Sequence, residues 1–306
     1  MSAAEVEEEM MCCAACGIAE VDDIKLKKCT ACKLVRYCSV KCQKEHRPNH
    51  KKTCKKRAAE LRDEILFKQP ESSHLGECPI CCLPLSLDPK QSTFTGCCSK
   101  LICRGCQFAN VIRETDASLQ QKCPFCRHPA PDTKEEAVMN IMKRVEVNDP
   151  GAMCQMAEIR YSEGDCSGAF EYWTKGAELG DAGSHYELSV VYRKGCGGVA
   201  TDKKKELYHL EQAAIGGHPF ARHNLGIYDD LSGSTDRAVK HFIIAAKLGH
   251  NGSIEALRVL YQDGEVSKED FAEALRGHQA AVDATKSPTR DAAWGIGMKE
   301  GLVRNK

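Results

Sequence analysis

Fifteen cysteines and one histidine before Arg127 stand at spacings that suit a soft metal ion with four N or S ligands. The first half of the row runs Cys13-x2-Cys16, Cys29-x2-Cys32, Cys38-x3-Cys42 and His50-x3-Cys54. The second half runs Cys78-x2-Cys81, the neighbours Cys97-Cys98, Cys103-x2-Cys106 and Cys123-x2-Cys126. Two residues between cysteines form a tight turn that aims both sulfurs at one ion. Three residues between ligands place them one helical turn apart on one face, so short helices are predicted at Cys38/Cys42 and at His50/Cys54. Sixteen ligands complete four tetrahedral zinc sites. Such sites are closed to water, so the chemistry they imply is structural rather than catalytic. Cys12 and His46 are rival ligands, but the spacing favours Cys13 and His50 and leaves His46 as an exposed helix residue. Cys82 is spare and reads as a small buried residue. Adjacent ligands strain one tetrahedron, so whether Cys97 and Cys98 both bind metal stays open.

Those ligands need scaffolding, and the bulk of the chain says what kind. Its 306 residues make room for two or three domains. The formal net charge is zero, which gives no case for generic nucleic-acid binding. Glu5, Glu7, Glu8 and Glu9 form an acidic head, and the run from Lys51 to Arg57 is mostly basic and reads as a solvated face. Seventeen of the 20 cysteines precede Arg127, mostly in C-x-x-C pairs, which is metal spacing rather than a disulfide framework. No apolar segment resembles a secretory signal or a membrane span. The expected setting is cytoplasmic or nuclear, where thiols stay reduced, with no membrane partner.

Tyr37-Cys38-Ser39-Val40-Lys41-Cys42-Gln43, followed by His46 and His50-Lys51-Lys52-Thr53-Cys54, resembles the MYND zinc finger over about residues 12–54. The resemblance implies an interleaved pairing: Cys13, Cys16, Cys38 and Cys42 on one zinc, Cys29, Cys32, His50 and Cys54 on the other. It also implies a protein-interaction module. Family members often carry Trp five residues after the sixth cysteine, on the peptide groove, where this chain has Arg47. No SET-type motif accompanies the finger. A segment of Leu61, Ile65 and Leu66 and a polar linker around Pro70–Gly76 fill residues 55–74.

Cys98-x4-Cys103-x2-Cys106 and the ending Cys-Pro-Phe-Cys-Arg resemble a RING finger over about residues 75–130. Lys100 stands where the usual histidine would be, so the eight-cysteine variant is the nearer pattern. The resemblance implies a cross-brace, with Cys78, Cys81, Cys103 and Cys106 on one ion and Cys97, Cys98, Cys123 and Cys126 on the other. It also implies catalysis without a nucleophile: the finger docks a charged ubiquitin-conjugating enzyme and positions its thioester. The family's docking positions fall on Ile80, Pro124 and Arg127, with Arg127 set to contact the end of a bound ubiquitin. A RING-shaped scaffold without transfer activity fits the same residues.

Asp132–Glu136 opens a connecting helix over 131–147, with a Thr133/Glu136 capping box and an apolar face of Val138, Ile141, Met142 and Val145. That face is expected to dock the finger onto the first of a set of repeats, for from 148 to 285 the chain repeats itself. Lys175–Gly180, Gln212–Gly217 and Ile244–Gly249 end alike, and each is followed by a second start at Ser184, Ala221 and Ser253. Small residues at helix crossings and closing glycines suit paired antiparallel helices stacked as a solenoid. Tyr192–Val199 followed by Asp202 resembles the loop of Sel-one-like repeats, relatives of the tetratricopeptide repeat, which implies a protein-binding concave face. Tyr192, Tyr228, Tyr261 and Trp173 read as packing residues, as do His209, His218, His223 and His241 where they are not at the surface. Cys154, Cys166 and Cys196 read as inert. Residues 286–306 read as a poorly packed tail. The expectation is therefore multidomain: two zinc-stabilised cross-brace fingers, then an all-α solenoid, with four structural zinc ions and protein partners. The functions implied are a RING-type ubiquitin ligase whose repeats select substrates, or a non-enzymatic adaptor.

Overall fold

The computed structural model describes residues 12–21 and 23–293, so the acidic head lies outside the described residues. The chain divides into two compact units at Lys68/Gln69.

In the first unit, β1 (Lys27–Lys28) and β2 (Arg36–Tyr37) form an antiparallel pair with Lys27 opposite Tyr37. Ser39 then caps α1 (Val40–Leu66), its hydroxyl accepting from the Cys42 N–H at 3.2 Å. The ligand spacing predicts two short helices; one helix of 27 residues forms instead. Pro48 lies inside it and removes one ladder donor. Downstream, residues 51–64 are rich in Lys, Arg, Glu and Ala, which propagate helix once it is started. The core of this unit is Leu26 and Tyr37 packed among the ligands Cys13, Cys29, Cys32 and Cys42. So small an apolar core is why the unit needs metal.

The second unit joins the second finger to the repeats. β3 (Ser92–Thr95) and β4 (Lys100–Cys103) form a hairpin, and Cys103 caps α2 (Arg104–Asp116). Leu85 and Ile102 are buried among Cys78, Cys103 and Cys123. Thr133 caps α3 (Lys134–Glu146) by accepting from the Glu136 N–H, while the Glu136 carboxylate accepts from the Asp132 N–H. α3 docks as its apolar face predicts: Ile141 packs with Met156 of the first repeat and Phe94 of β3. A Cβ on Gly96 would lie 2.7 Å from Ile141, so the close approach of hairpin and helix requires glycine there.

Four antiparallel helix pairs come next: α4 (Pro150–Ser162) with α5 (Cys166–Glu178), α6 (Ala182–Lys194) with α7 (Lys203–Ile215), α8 (Pro219–Leu231) with α9 (Thr235–Lys247), and α10 (Asn251–Gln262) with α11 (Lys268–Ala284). Each pair also packs on the next, the linear architecture of a solenoid. Gly180, Gly217 and Gly249 sit between pairs at φ 85°, 80° and 90°, where a side chain would be strained. Ala169, Ala213, Ala214, Ala221, Ala238 and Ala245 are fully buried, which lets the helices approach. Trp173 and Tyr192 are core residues with Leu188 and Val191, while Tyr261 remains partly exposed and stacks on Phe271.

Two expectations about cysteine and the tail are corrected. Cys166 and Cys196 form a disulfide that ties the start of α5 to the loop after α6. Their 30-residue separation carries no pairing signal in the sequence, because it is the repeat geometry that brings them together. Residues 287–293 are not loose: Arg290 is 7% exposed and Ala293 is 1% exposed. The polar linker is also held, with the His74 N–H donating to the Gly217 carbonyl at 3.0 Å and its ring stacked on His218.

Candidate metal centres and docking groove

Four turns share one backbone pattern. In each, the residue after the second cysteine donates its N–H to the carbonyl of the first: Gly17 to Cys13, Lys33 to Cys29, Cys82 to Cys78 and Arg127 to Cys123, at 2.8–3.0 Å. Those four donors all have positive φ, from 54° to 72°. The turn points two sulfurs the same way, which is the physical content of the x2 spacing. It also explains Cys82, which is exposed on the turn and not buried as its residue type suggests. Cys103 and Cys106 differ, for they sit at the start of α2, where the Cys106 N–H donates to Cys103 Sγ at 3.4 Å.

The four clusters are Cys13/Cys16/Cys38/Cys42, Cys29/Cys32/His50/Cys54, Cys78/Cys81/Cys103/Cys106 and Cys97/Cys98/Cys123/Cys126, with ligand atoms within 4.8 Å of one another in each. A zinc tetrahedron with Zn–S of about 2.3 Å has edges of about 3.8 Å. Cys16–Cys38 and Cys38–Cys42 are 3.6 Å apart, Cys29–Cys54 3.8 Å, Cys81–Cys103 3.7 Å and Cys98–Cys123 3.9 Å. The donor set is thus cysteine with one imidazole, at zinc spacing. The interleaved grouping in both fingers agrees with that implied by the resemblances.

His50 enters through Nε2, 3.2 Å from Cys32 Sγ. His46 stacks on the His50 ring, and its Nδ1 lies 3.1 Å from the Tyr37 hydroxyl, so it braces the ligand and does not replace it. It is also half-buried rather than exposed. Burial raises the Cys13 thiol, but backbone N–H groups of Cys38, Cys16 and Ala15 outweigh it and bring it down to about 6. Cys38 is pushed up to about 12 by the neighbouring sulfurs of Cys42, Cys16 and Cys13. A central dication relieves that mutual repulsion.

Cys97 and Cys98 share one cluster for a reason the sequence hides. The Ser99 N–H donates to the Thr95 carbonyl at 2.8 Å, and Ser99 has φ 54°, so residues 95–99 make the same turn. Thr95 stands at the first-ligand place, and its hydroxyl lies 3.2 Å from Cys98 Sγ. Cys98 takes the usual second place, and Cys97 supplies the other sulfur from within the turn, 3.3 Å from Cys126.

Beside the Cys78/Cys81/Cys103/Cys106 cluster lies an open groove of about 510 Å³, lined by Ile80, Leu83, Ala109 and Pro124 with Arg113 and Arg127 among its polar edges. Ile80 is 41% exposed. Arg127 is turned toward the finger: its Nη2 pairs with Glu114 at 2.6 Å and its Nη1 donates to Asn110 at 3.0 Å. Glu114 is fully buried, and the Lys122 N–H, together with Arg127 and Asn110, holds its carboxylate below the usual range. Sequence alone does not single out Asn110 or Glu114, since an Asn and a Glu four apart on a helix look like surface residues.

A family model for the MYND finger matches residues 13–54. Residues 13–54 are a MYND finger. A curated relative, chitin synthase regulatory factor 4 of Schizosaccharomyces pombe, is 29% identical over 89 residues, 29% of this chain and 14% of its own length. Among solved structures, a Sel1 repeat protein from Oxalobacter formigenes is similar at 21% identity and TM-score 0.43, over 58% of this chain and 72% of that one. The uropathogenic Escherichia coli antigen c5321, with an SLR fold, is similar at 22% identity and TM-score 0.42, over 49% of this chain and 34% of that one. Among the described residues, no helix is long and apolar enough to cross a membrane.

Proposed function

We propose that the second finger docks a charged ubiquitin-conjugating enzyme and that the helical repeats, with the MYND finger, bind the proteins to be modified. The observation that carries this reading is the groove beside the Cys78/Cys81/Cys103/Cys106 cluster, lined by Ile80, which is exposed, and by Pro124. An apolar floor with charged edges suits a partner loop that buries one or two apolar side chains. The finger offers no nucleophile; its contribution is to hold a thioester in an attack-ready conformation. In this reading Glu114 presents Arg127 at the groove edge, where the guanidinium, 45% exposed, still has donors free for ubiquitin.

A non-enzymatic adaptor is the second reading. It is favoured by one observation: the cation assigned to ubiquitin is already paired with a buried carboxylate. Discharge of ubiquitin from a panel of charged conjugating enzymes, with the full chain and with Ile80→Ala, separates the two. Acceleration that disappears in Ile80→Ala is expected of a ligase. No acceleration by any enzyme, from protein holding four zinc ions, sinks that reading and leaves the adaptor.

A further inference from the structure

The groove is not built by the finger alone. Ser287, Thr289 and Arg290, far away in sequence, complete its lining. Residues 288–293 are helical and lie against the first zinc turn and the start of α2. Arg290 fastens them there. Its Nη1 donates to the Pro84 carbonyl and to the Thr285 carbonyl, both at 2.7 Å. Its Nη2 donates to the Leu83 carbonyl at 3.1 Å and to Cys81 Sγ at 3.3 Å. One guanidinium thus grips the end of α11 and the loop just past the Cys78–Cys81 turn, the turn that carries Ile80. Charge-assisted bonds to a metal thiolate and to carbonyls are the strong kind, and they fix the conformation of a metal loop. Gly105, between the ligands Cys103 and Cys106, permits the approach: a Cβ there would lie 2.9 Å from the Arg290 backbone nitrogen.

We infer that residues 287–293 form a wall of the conjugating-enzyme groove, so that the docking face is composite and Arg290 is the positioning residue that holds it in shape. The inference rests on the docking reading above. Two facts make the segment a wall and not a lid. Ile80 stays 41% exposed beside it, and Thr289 is exposed at the groove edge while Arg290 is buried behind it. Recognition then couples the finger to the end of the solenoid: a conjugating enzyme reads both, and a partner that pulls on the last helix pair alters the groove.

The test uses the full chain and the conjugating enzyme that discharges fastest with it. Its affinity, the zinc content and the hydrogen exchange of residues 78–85 are measured for the parent chain, Ile80→Ala, Thr289→Trp and Arg290→Ala. Thr289→Trp is expected to weaken binding by about tenfold, the size of one lost interface contact, with zinc content and exchange unchanged. A purely structural role for the segment would not produce that result. Arg290→Ala is expected to weaken binding and to speed exchange at residues 78–85, with four zinc ions kept. Binding unchanged in Thr289→Trp but lost in Ile80→Ala overturns the wall while the docking reading stands. Tighter binding or faster discharge in either tail variant overturns it in the other direction, making the segment an obstruction. Binding of no conjugating enzyme by the parent chain removes the docking reading and the wall with it.

Discussion

Acid should weaken the repeats as pH falls below about 6.5, because His218, His241 and His250 are buried in the neutral form, while Glu187, raised by burial to about 7, partly offsets the loss. His218, His241 and His250 are 6%, 1% and 8% exposed. Burial first, and then Arg222 and Arg237, hold His241 down to about 3. Burial, then His223 and His278, hold His250 down to about 4. His218 lies well below its usual value, through burial and then His74 and His250. Two of the three are also helix caps whose Nδ1 must stay unprotonated to accept: His218 from the Ala221 N–H at 3.3 Å, His250 from the Ser253 N–H at 3.1 Å. The equivalent places in the first two repeats hold Asp149 and Asp181, which cap without this liability. A histidine titrates near 6.5 in the unfolded chain, whereas in the fold His241 and His250 are held to about 3 and about 4 and His218 lies below its usual value, so below 6.5 the unfolded state binds more protons. Stability is therefore complete above that range and falls as pH drops from about 6.5 toward 4. For His241 and His250, going from pH 7 to pH 5 removes about 2 kcal/mol each, or about 4 kcal/mol for the pair, and His218 adds to the loss in the same direction. That is a large part of a typical domain's stability. The assay is urea unfolding followed by far-ultraviolet circular dichroism at pH 7, 6 and 5, with zinc content measured in the same samples to separate metal loss. His250→Asn keeps a good cap and removes one titration, so the acid loss should shrink by about 2 kcal/mol. An identical pH slope in His250→Asn and the parent chain would refute the reasoning.

Other substitutions have equally definite outcomes. Cys38→Ser should lower the zinc count from four to three, whereas Cys12→Ser and Cys82→Ser should keep all four; mass spectrometry of the native protein decides, and retention of four in Cys38→Ser would break the ligand assignment. Trp173→Ala empties the largest fully buried position and should cost about 3–5 kcal/mol in denaturant unfolding. Cys166→Ala should lose up to about 3.6 kcal/mol if the 30-residue loop is closed in solution, and equal stability with free thiols at Cys166 and Cys196 would show that it is not. Gly226→Ala drives a Cβ to 2.6 Å from the Phe242 ring and should destabilise α8/α9 by about 1–3 kcal/mol, less any gain in helix propensity, read as a shift in the urea midpoint.

The ligand set is legible in the sequence because metal binding is local chemistry. A C-x-x-C pair makes its turn within five residues, whatever surrounds it, and the repeats announce themselves through glycines that only a helix end needs. The length of α1 is not legible, because ligand spacing marks only single turns and Pro48 between them reads as a stop, while the residues after it carry helix onward. The role of Thr95 beside Cys97-Cys98 is hidden because its turn is recognised by a backbone hydrogen bond and a positive φ, and a threonine announces neither.

Residue types and spacing by themselves determined that this chain has two zinc-dependent fingers ahead of stacked helix pairs, because ligand turns and helix periods are short-range. Only the tertiary structure decided what long-range closure brings together. Solenoid packing places Cys166 against Cys196. The last helix pair returns Arg290 to the carbonyls after Cys81, more than 200 residues earlier. The Glu114 carboxylate, sealed under the final zinc turn, takes hold of Arg127. Each of these contacts costs loop-closure entropy that no local pattern encodes, and each forms only because the packed elements between its ends are already fixed.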